Sequence, residues 1–514
     1  MTTISAQLKD DGARFDAIGR HTRSILVEAG AGSGKTAVMA GRIAVMLAEG
    51  ISPRAIAAVT FTELAASELV SRVREFVAEL SEGRIAPELK VALPDGLSDA
   101  QRTNLVTASA AIDEVTCSTI HGFCQRLIKP YPAEADIDPG ATVMDRNLAD
   151  LAFLEIVDGW LRERLSGEHG GIIAEMVLYN PKSTVELLHK IAANLRSRRT
   201  LKAPKPSPFA ALMAEFQQAA TAFGDFIDNA SAHEPETAIY AAGFVQMAQA
   251  VAAVAEPQSP AGLVQLLVAR PHPDVCTKTG GFAAYRKKGK WVEAAKQAGL
   301  SKADGEQLNI VADDLYAKSC ATWAAMQQAI AGHVLAALVS EAAPILERYR
   351  DYKRSSAQLD FDDLIYAARD LLRSHEAVRQ ALGKRYTHVL VDEFQDTDPL
   401  QTEIFWRLCG DPQHEGDDWA AFRIRPGALF LVGDPKQAIY RFRGADVGAY
   451  VQARSAFIAH SQESLLSIST NFRSCASILT FVNARFEAVL SADGQPGFTA
   501  LDAFHADPAE GICV

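Results

Sequence analysis

The sequence of 514 residues has few cysteines and no uncharged run as long as a membrane span. Its seven cysteines are odd in number, scattered and never spaced as C-x-x-C, so neither a disulfide framework nor a zinc ribbon is supported. Residues 1–21 lack the apolar core of a signal peptide, so we expect a cytoplasmic protein. The longest uncharged run, 238–255, is rich in alanine and has apolar residues at helical spacing, which predicts an amphipathic helix and no membrane contact.

An excess of positive charge is also absent. The formal net charge is −12, which excludes a histone-like packing protein and requires any nucleic-acid site to be a local basic groove. Apolar residues make up 48% and charged residues 22%, so intrinsic disorder is not expected. The length alone suggests about three domains.

Four short apolar runs predict buried parallel strands. They cover 25–27, 57–59, 389–391 and 429–432, and each ends in small or polar residues. Ligands bind at such carboxyl ends of strands in open α/β sheets. From about 150 to 340 the sequence is alanine-rich with helical spacing. We therefore predict an α/β fold with a parallel sheet, interrupted by a mostly helical inserted domain.

The first predicted strand runs into a glycine-rich segment before a helical pattern. The segment, AGAGSGKT, consists of Ala29, Gly30, Ala31, Gly32, Ser33, Gly34, Lys35 and Thr36. It predicts a loop whose backbone N–H groups surround phosphate at a helix N-terminus. Lys35 would reach the β and γ phosphates, and the Thr36 hydroxyl would bind Mg²⁺. Ala29 stands where the common pattern has glycine.

Two carboxylates, Asp392 and Glu393, follow the third predicted strand. Asp392 would hold Mg²⁺ through water, and Glu393 would activate the attacking water. An isolated pair would be interpreted as two acids at a strand end. Together with the glycine-rich loop, the pair predicts binding of a nucleoside triphosphate.

Residues 278–302 hold seven lysines and arginines around Tyr285 and Trp291. Basic residues interleaved with aromatic ones can follow phosphates and stack on bases. A solvated loop and helix face explains the same pattern, so both interpretations stay open.

Further motifs resemble a known family. The segments VTFTELAASEL (59–69), TIHGFC (119–124), DEFQDTDPLQ (392–401), GDPKQAIYRFRGAD (433–446) and STNFRS (469–474) are similar to superfamily 1 DNA helicases of the UvrD type. STIHGFCQRLI, the stretch 134–140 and FDDLIYAARDLL (361–372) most resemble the AddA and RecB recombination-repair helicase subunits. The resemblance covers roughly 1–145 and 340–490.

The resemblance implies a RecA-like P-loop NTPase core. Its first part would be 1–150 and its remainder 341–460, with a helical inserted domain at 151–340 and the start of a second, truncated RecA-like core at 461–514. ATP and Mg²⁺ are the implied cofactors. Single-stranded and duplex DNA are the implied partners, and a further one is an AddB-like subunit.

The resemblance also assigns roles around the nucleotide. Gln395 would couple nucleotide state to DNA movement, and Gln437 would sense the γ-phosphate. Arg443 and Arg473 would hold the γ-phosphate and stabilise charge during transfer. Phe472 would stack on adenine. Without the resemblance, these residues would be interpreted as loop amides, surface ion pairs and a core aromatic.

Five residues match positions that line the path of single-stranded DNA in the family: Phe61, Thr62, His121, Tyr440 and Phe442. Aromatic platforms suit an enzyme that grips any sequence. Phe442 stands where many relatives have Trp, and pattern alone would assign Phe61 and Phe442 to the core.

The residue that usually selects adenine is a glutamine three residues before an Ala-Ile pair, and Arg14 occupies that position here. Arg14 could stack on a base or bond with it.

Two hypotheses follow. In the first, the chain is the amino-terminal portion of an ATP-dependent helicase that moves 3′ to 5′ on single-stranded DNA in double-strand break repair and recombination. In the second, it is a truncated nucleotide- and DNA-binding protein, or a split subunit, without motor activity, because no helicase or nuclease motifs follow the NFRS segment. A P-loop ATPase of another family does not explain the NFRS and FRGA segments.

Overall fold

A computed structural model of the chain describes residues 8–166, 171–199, 208–411, 418–438, 447–460, 462–492 and 497–507. The strands are β1 (Ile25–Ala29), β2 (Ile56–Thr60), β3 (Thr116–Thr119), β4 (Thr142–Val143), β5 (Gln358–Leu359), β6 (His388–Val391), β7 (Leu429–Gly433), β8 (Leu465–Ile468), β9 (Thr470–Cys475) and β10 (Asp502–His505). The chain forms two compact units, one of residues 1–144 and 357–514 and one of residues 145–356.

The helices of the first unit are α1 (Asp11–Gly19), α2 (Lys35–Ala48), α3 (Glu63–Ser81), α4 (Asp99–Ala110), α5 (Ile120–Ile128), α15 (Phe361–Ser374), α16 (Glu376–Arg385), α17 (Pro399–Cys409), α18 (Val447–His460) and α19 (Ala476–Leu490). Those of the second unit are α6 (Arg146–Ser166), α7 (Ile172–Tyr179), α8 (Pro181–Ser197), α9 (Phe209–Asn229), α10 (Pro235–Ala252), α11 (Pro260–Leu267), α12 (Lys288–Gln297), α13 (Lys302–Ala342) and α14 (Pro344–Ser355).

A six-stranded parallel sheet, in the order β3-β2-β6-β7-β1-β8, forms the centre of the first unit. The four predicted strands are β1, β2, β6 and β7, which are its four inner strands. Their side chains alternate between two buried faces, which is why these strands are apolar throughout. Leu26 and Val391 face the layer containing α5, α15 and α17, whereas Val27 and Leu390 face the layer containing α2 and α3. The α/β fold predicted from the sequence is confirmed.

The two edge strands, β3 and β8, carried no clear apolar signal. In β3, TCST, the fully buried residues are Thr116 and Ser118. In β8 only Ile468 is fully buried. Edge strands pack against fewer neighbours, so a weaker apolar pattern is expected there.

Strand β8 begins after residue 461, where the sequence predicts the start of a second core. Leu26 pairs with Leu465 and Ala29 with Ile468, so β8 belongs to the six-stranded sheet. After it, β9 and β10 form a separate parallel pair connected by α19. The change of sheet therefore falls between 468 and 470, and residue 461 lies outside the described residues.

The second unit is mostly helical in its described residues, with an isolated antiparallel bridge between Cys276 and Phe282. Its core holds aromatic side chains from several helices, among them Phe216, Phe223, Phe244 and Trp323. The predicted amphipathic helix is α10, which buries Phe244, Met247 and Val251. The helical stretch 302–355 is long and apolar enough to cross a membrane by length and composition. Its buried residues in α13, such as Trp323 and Met326, pack into this core.

Candidate functional site

The glycine-rich loop connects the carboxyl end of β1 to the start of α2. Gly32 and Gly34 have φ angles of +68° and +82°, a left-handed conformation that glycine adopts without steric cost. The Ser33 hydroxyl donates to the carbonyl oxygen of Gly30 across 2.7 Å and closes the turn. The glycine spacing is therefore explained by the backbone path that the loop must follow.

The start of α2 suits an anion. Gly34 is its N-cap and supplies no side-chain acceptor, so the first N–H groups of the helix have no capping side chain. Lys35 is the first residue of the helix and Thr36 the second, and Thr36 is exposed. Free N–H groups, the helix dipole and a lysine at one point are the features of a phosphate site.

Lys35 forms an ion pair with Glu393, with 3.0 Å between Nζ and Oε2. The Gln395 amide nitrogen donates to the same carboxylate oxygen across 2.7 Å. Glu393 has a φ of 48°, which is uncommon for a residue other than glycine and is found at functional sites. The structure thus brings together the predicted phosphate-binding lysine, water-activating base and coupling glutamine.

Asp392 is the first residue after β6 and is 8% exposed. Its backbone N–H donates to the carbonyl of Val59, and its carboxylate accepts from the backbone N–H of Glu393 across 2.9 Å. Burial raises the pKa of Asp392 to about 6, and the neighbouring charge of Glu393 contributes to the rise. A bound cation would relieve this cost. Because Mg²⁺ is commonly held by one or two carboxylates together with substrate phosphates, Asp392 and Thr36 fit that ion.

Gln395 is 2% exposed and connects the loops after β6 and β7. Its side-chain carbonyl accepts from the backbone N–H of Asp434 across 2.9 Å, while its amide nitrogen reaches Glu393. Gln437 donates to the carboxylate of Asp434 across 2.8 Å. A Cβ on Gly433 would lie 2.5 Å from the Gln395 oxygen, so this close contact requires glycine. The two glutamines therefore belong to one hydrogen-bonded group.

Strand β9, which contains the NFRS residues, lies against the glycine-rich loop. The backbone N–H of Phe472 donates to the Gly32 carbonyl across 2.9 Å, and the Asn471 side chain donates to the Ala31 carbonyl across 2.5 Å. An added Cβ on Gly32 would lie 2.7 Å from the Cβ of Arg473. Phe472 and Arg473 are thus beside the candidate phosphate site.

Arg14 lies under the ring of Phe472, with 5.1 Å between the guanidinium and the ring centroid. Its side chain is only 9% exposed and pairs with Asp10 across 3.0 Å. It also donates to the backbone carbonyls of Ser33 and Thr470. These contacts connect the glycine-rich loop to β9 through Arg14, and the predicted contact of Arg14 with a base stays a prediction.

Asp10 is the main site residue that the sequence did not reveal. Its carboxylate accepts from the backbone N–H groups of Ser469 and Thr470 and from the Thr470 hydroxyl. Burial raises the pKa of Asp10, but the hydrogen bonds from Arg14 and Thr470 outweigh that effect and leave it below its usual range. Asp10 lies in a polar stretch with no motif around it, and its partners on the far side, Ser469 and Thr470, are more than 450 residues away.

The ring of Phe472 is 36% exposed and lies 4.9 Å from the ring of Phe504, on β10. Leu501, just before β10, lies against Gly30, where an added Cβ would be 2.3 Å from the leucine side chain. Leu501 therefore contacts the loop, and Phe504 contacts Phe472 beside it, although neither residue belongs to a motif.

Three of the predicted DNA-path residues follow the carboxyl ends of β2 and β3. Phe61 is half-buried, and Thr62 is exposed and caps α3 by accepting from the Ala65 N–H across 3.1 Å. His121 packs edge-on against Phe361, with 5.2 Å between the rings. Burial lowers the pKa of His121, so its ring is neutral at pH 7. Tyr440, Phe442 and Arg443 lie outside the described residues.

Four lysines of the segment 278–302 form ion pairs with glutamates of the same unit. Lys287 and Lys290 both pair with Glu236, and Lys288 and Lys302 both pair with Glu306. Trp291 is fully buried and donates from its ring N–H to the Tyr285 hydroxyl across 2.7 Å. These contacts favour a structural role over stacking on bases.

Comparison with known proteins adds independent information. A family described as the UvrD/REP helicase N-terminal domain matches residues 12–458. The chain is 30% identical to RecBCD enzyme subunit RecB of Escherichia coli strain K12, over 90% of this chain and 38% of RecB. It is 25% identical to an ATP-dependent helicase/nuclease subunit of Natranaerobius thermophilus, over 95% of this chain and 38% of the relative. The helicase/nuclease subunit of the same name from Bacillus cereus strain G9842 is 26% identical, over 95% and 40%. The chain therefore spans about two fifths of these relatives.

Proposed function

Because this chain belongs to the UvrD/REP helicase N-terminal domain family, we propose that it is the ATP-binding part of a DNA helicase of the AddA and RecB type. ATP hydrolysis would drive movement along single-stranded DNA during double-strand break repair and recombination. The observation that carries the proposal is the convergence of the glycine-rich loop, Asp392, Glu393 and β9 at one edge of the sheet.

In this proposal, the backbone N–H groups of the loop and Lys35 bind the β and γ phosphates. Thr36 and Asp392 hold Mg²⁺, which supplies neutralisation of the phosphate charge when it is bound. Glu393 accepts a proton from the attacking water once Lys35 has turned from Glu393 towards the nucleotide. The ion pair is therefore the contact that must be exchanged before hydrolysis.

The residues around the γ-phosphate would couple nucleotide binding to the residues that line the DNA path. Gln395 touches both Glu393 and Asp434, so a change at Glu393 reaches the loop after β7 through one side chain. Gln437 and Arg473 would sense and hold the γ-phosphate, together with Arg443. Phe472 would stack on adenine, which requires Phe504 to leave part of the ring open.

The DNA path would run past Phe61, Thr62 and His121 and continue to Tyr440 and Phe442. Movement from 3′ to 5′, an AddB-like partner chain and a cytoplasmic location are further parts of the proposal, and they rest on the family resemblance. The relatives named above include helicase/nuclease subunits and one subunit of the RecBCD enzyme, which supports a partner chain.

The second candidate is a nucleotide- and DNA-binding chain without motor activity. For these residues tested alone, one observation supports it: the described residues contain one six-stranded sheet, whereas β9 and β10 form only a pair. A motor of this kind needs two cores that close and open around ATP.

One experiment separates the two candidates. ATP turnover by these 514 residues is measured with and without single-stranded DNA, together with binding of a nonhydrolysable ATP analogue. We expect weak analogue binding and little DNA-stimulated turnover for this chain alone, with both lost in Lys35→Ala. Lys90→Ala, at an exposed lysine on the surface, is the matched control. Strong stimulated turnover that Lys35→Ala abolishes would reject the non-motor candidate, and no analogue binding at all would reject ATP binding.

A further inference from the structure

A second cationic site lies near the amino ends of the strands of the six-stranded sheet, whereas the glycine-rich loop lies at their carboxyl ends. A cavity of about 80 Å³ is lined by Arg379, Lys384, Arg407 and Arg425, which we call the arginine pocket. Helix α16 leads into the amino end of β6, and the segment that contains Arg425 leads into the amino end of β7. All strands of the sheet are parallel, so their amino ends lie together on the side opposite to Lys35 and Glu393, which follow carboxyl ends.

Arg379 is the unusual member of the pocket. It is 8% exposed, and its Nε atom is buried with no hydrogen-bond partner among the described residues. Its guanidinium lies 5.6 Å from the ring centroid of Phe422, and that of Arg407 lies 5.3 Å from the same centroid. Burial lowers the pKa of Arg379; Glu376 offsets part of this effect, and the charge of Arg407 adds to it. A buried cation with an unused donor, next to a second cation, is a costly arrangement unless an anion joins it.

Two other cations of the pocket, Arg425 and Arg407, have structural partners. Arg425 donates to the backbone carbonyls of Gly383, Leu408 and Cys409, at the ends of α16 and α17. Arg407 pairs with Glu403 across 2.7 Å. Lys384 is exposed at the rim. Glu376 acts on Arg379 and Glu403 on Arg407, so the Nε atom of Arg379 is the buried donor of the pocket that has no hydrogen-bond partner among the described residues.

We propose that the arginine pocket binds a phosphate group through Arg379 and Lys384. A phosphate dianion balances more of the positive charge than a single carboxylate does, and guanidinium groups bind phosphate oxygens with directed, charge-assisted hydrogen bonds. A volume of about 80 Å³ admits one such group but no nucleoside. The phosphate is either free in solution or part of a DNA backbone. The proposal is independent of the nucleotide site, because none of its residues contacts the loop.

The test uses inorganic phosphate as the probe. Lys35→Ala is the background of every variant, so that the glycine-rich loop does not contribute. Binding is followed by calorimetry and by the melting temperature, with chloride replacing phosphate at equal ionic strength. In this background we compare Arg379→Met, which keeps a long apolar stem, and Lys384→Ala, which changes an exposed residue that the fold does not need. Arg385→Ala is the matched control, because Arg385 is the next residue on α16, is exposed and does not line the pocket.

Loss of one charge-assisted hydrogen bond lowers affinity about tenfold or more. We therefore expect Arg379→Met and Lys384→Ala each to weaken phosphate binding by about that factor, and Arg385→Ala to leave it unchanged. The absence of phosphate binding in the Lys35→Ala background would overturn the proposal. A phosphate affinity that is the same with and without both pocket substitutions would also overturn it. If Arg379→Met does not fold, Lys384→Ala alone decides the result.

A parallel measurement identifies the source of the phosphate. Affinity for single-stranded DNA is measured as a function of salt for the same variants. If Lys384→Ala reduces the salt dependence by about one unit, the group is a DNA phosphate. If DNA binding is unchanged while phosphate binding falls, the site takes a free phosphate. Binding of an acidic peptide in the absence of any phosphate binding would contradict the proposal.

Discussion

The ion pair between Lys35 and Glu393 leads to a prediction that is opposite to the usual effect of losing a catalytic residue. ATP binding requires Lys35 to leave Glu393, so the free energy of that contact is subtracted from the affinity for ATP. Replacing the carboxylate by an amide, Glu393→Gln, removes the competing charge and keeps the size. We expect ATP to bind more tightly while hydrolysis is lost.

The magnitude follows from the exposure of the two side chains. Lys35 is 11% exposed and Glu393 is 36% exposed, so the pair is stronger than a surface ion pair and weaker than a buried one. If the ion pair contributes about 1 kcal/mol of free energy, its removal corresponds to roughly fivefold tighter binding of ATP. Removing the negative charge of Glu393 from the neighbourhood of the phosphates acts in the same direction. Hydrolysis should fall by about a hundredfold or more, because the base is gone.

The assay is equilibrium binding of a fluorescent nonhydrolysable ATP analogue, with turnover measured separately. Glu114→Gln is the matched control, since Glu114 also forms an ion pair with an arginine, Arg54, and is 37% exposed. It should leave both quantities unchanged. Equal or weaker analogue binding by Glu393→Gln would refute the reasoning, and normal turnover would show that Glu393 is not the base.

Three further predictions concern the same site. Arg14→Met leaves the buried Asp10 without its ion-pair partner and should lower the free energy of unfolding by about 3 kcal/mol in a urea titration; an unchanged midpoint would contradict the connection through Arg14. Gly32→Ala should cost at least about 1 kcal/mol in the same titration, because the left-handed backbone and the contact with Arg473 both oppose a Cβ. The pKa of Asp392, about 6, lies above its ordinary value, so Asp392 takes up a proton as the pH falls through 6. Protonation stabilises the folded chain, because it removes a buried charge, but the neutral carboxyl group no longer serves as a Mg²⁺ ligand. Nucleotide binding that depends on Mg²⁺ should therefore weaken below pH 6 in the unaltered chain, and a flat profile between pH 5 and 7, measured by analogue binding, would argue against this role.

The parts of the fold that the sequence predicts are those with a local signal. The inner strands of the sheet are apolar on both faces, and the glycine spacing between β1 and α2 corresponds directly to left-handed backbone at Gly32 and Gly34. The edge strand β3 is a short polar segment, TCST, so its pairing with β2 was not visible. Local patterns report burial, and an edge strand is only partly buried.

The contacts around Arg14 could not be predicted for a different reason. The family resemblance suggests a nucleobase contact, because it implies an adenine-selecting glutamine at the position that Arg14 occupies. Its ion-pair partner, Asp10, is one helical turn away, and the pair connects α1 to β9 because Asp10 also accepts hydrogen bonds at the start of β9. Pairing between residues about 460 positions apart follows from the tertiary fold, and no local pattern encodes it.

The strand order of the sheet has a consequence for how the protein is made. Strand β1, which carries the glycine-rich loop, lies between β7 and β8, and β7 begins about 400 residues after β1 ends. A ribosome that adds roughly 5–20 amino acids per second needs tens of seconds to cover that distance. During this time the apolar β1 has neither of its neighbours. The helical residues 145–356 are complete well before then. The nascent chain therefore exposes a hydrophobic strand while about 400 residues are added, and a chaperone that binds extended apolar segments is expected to act on β1.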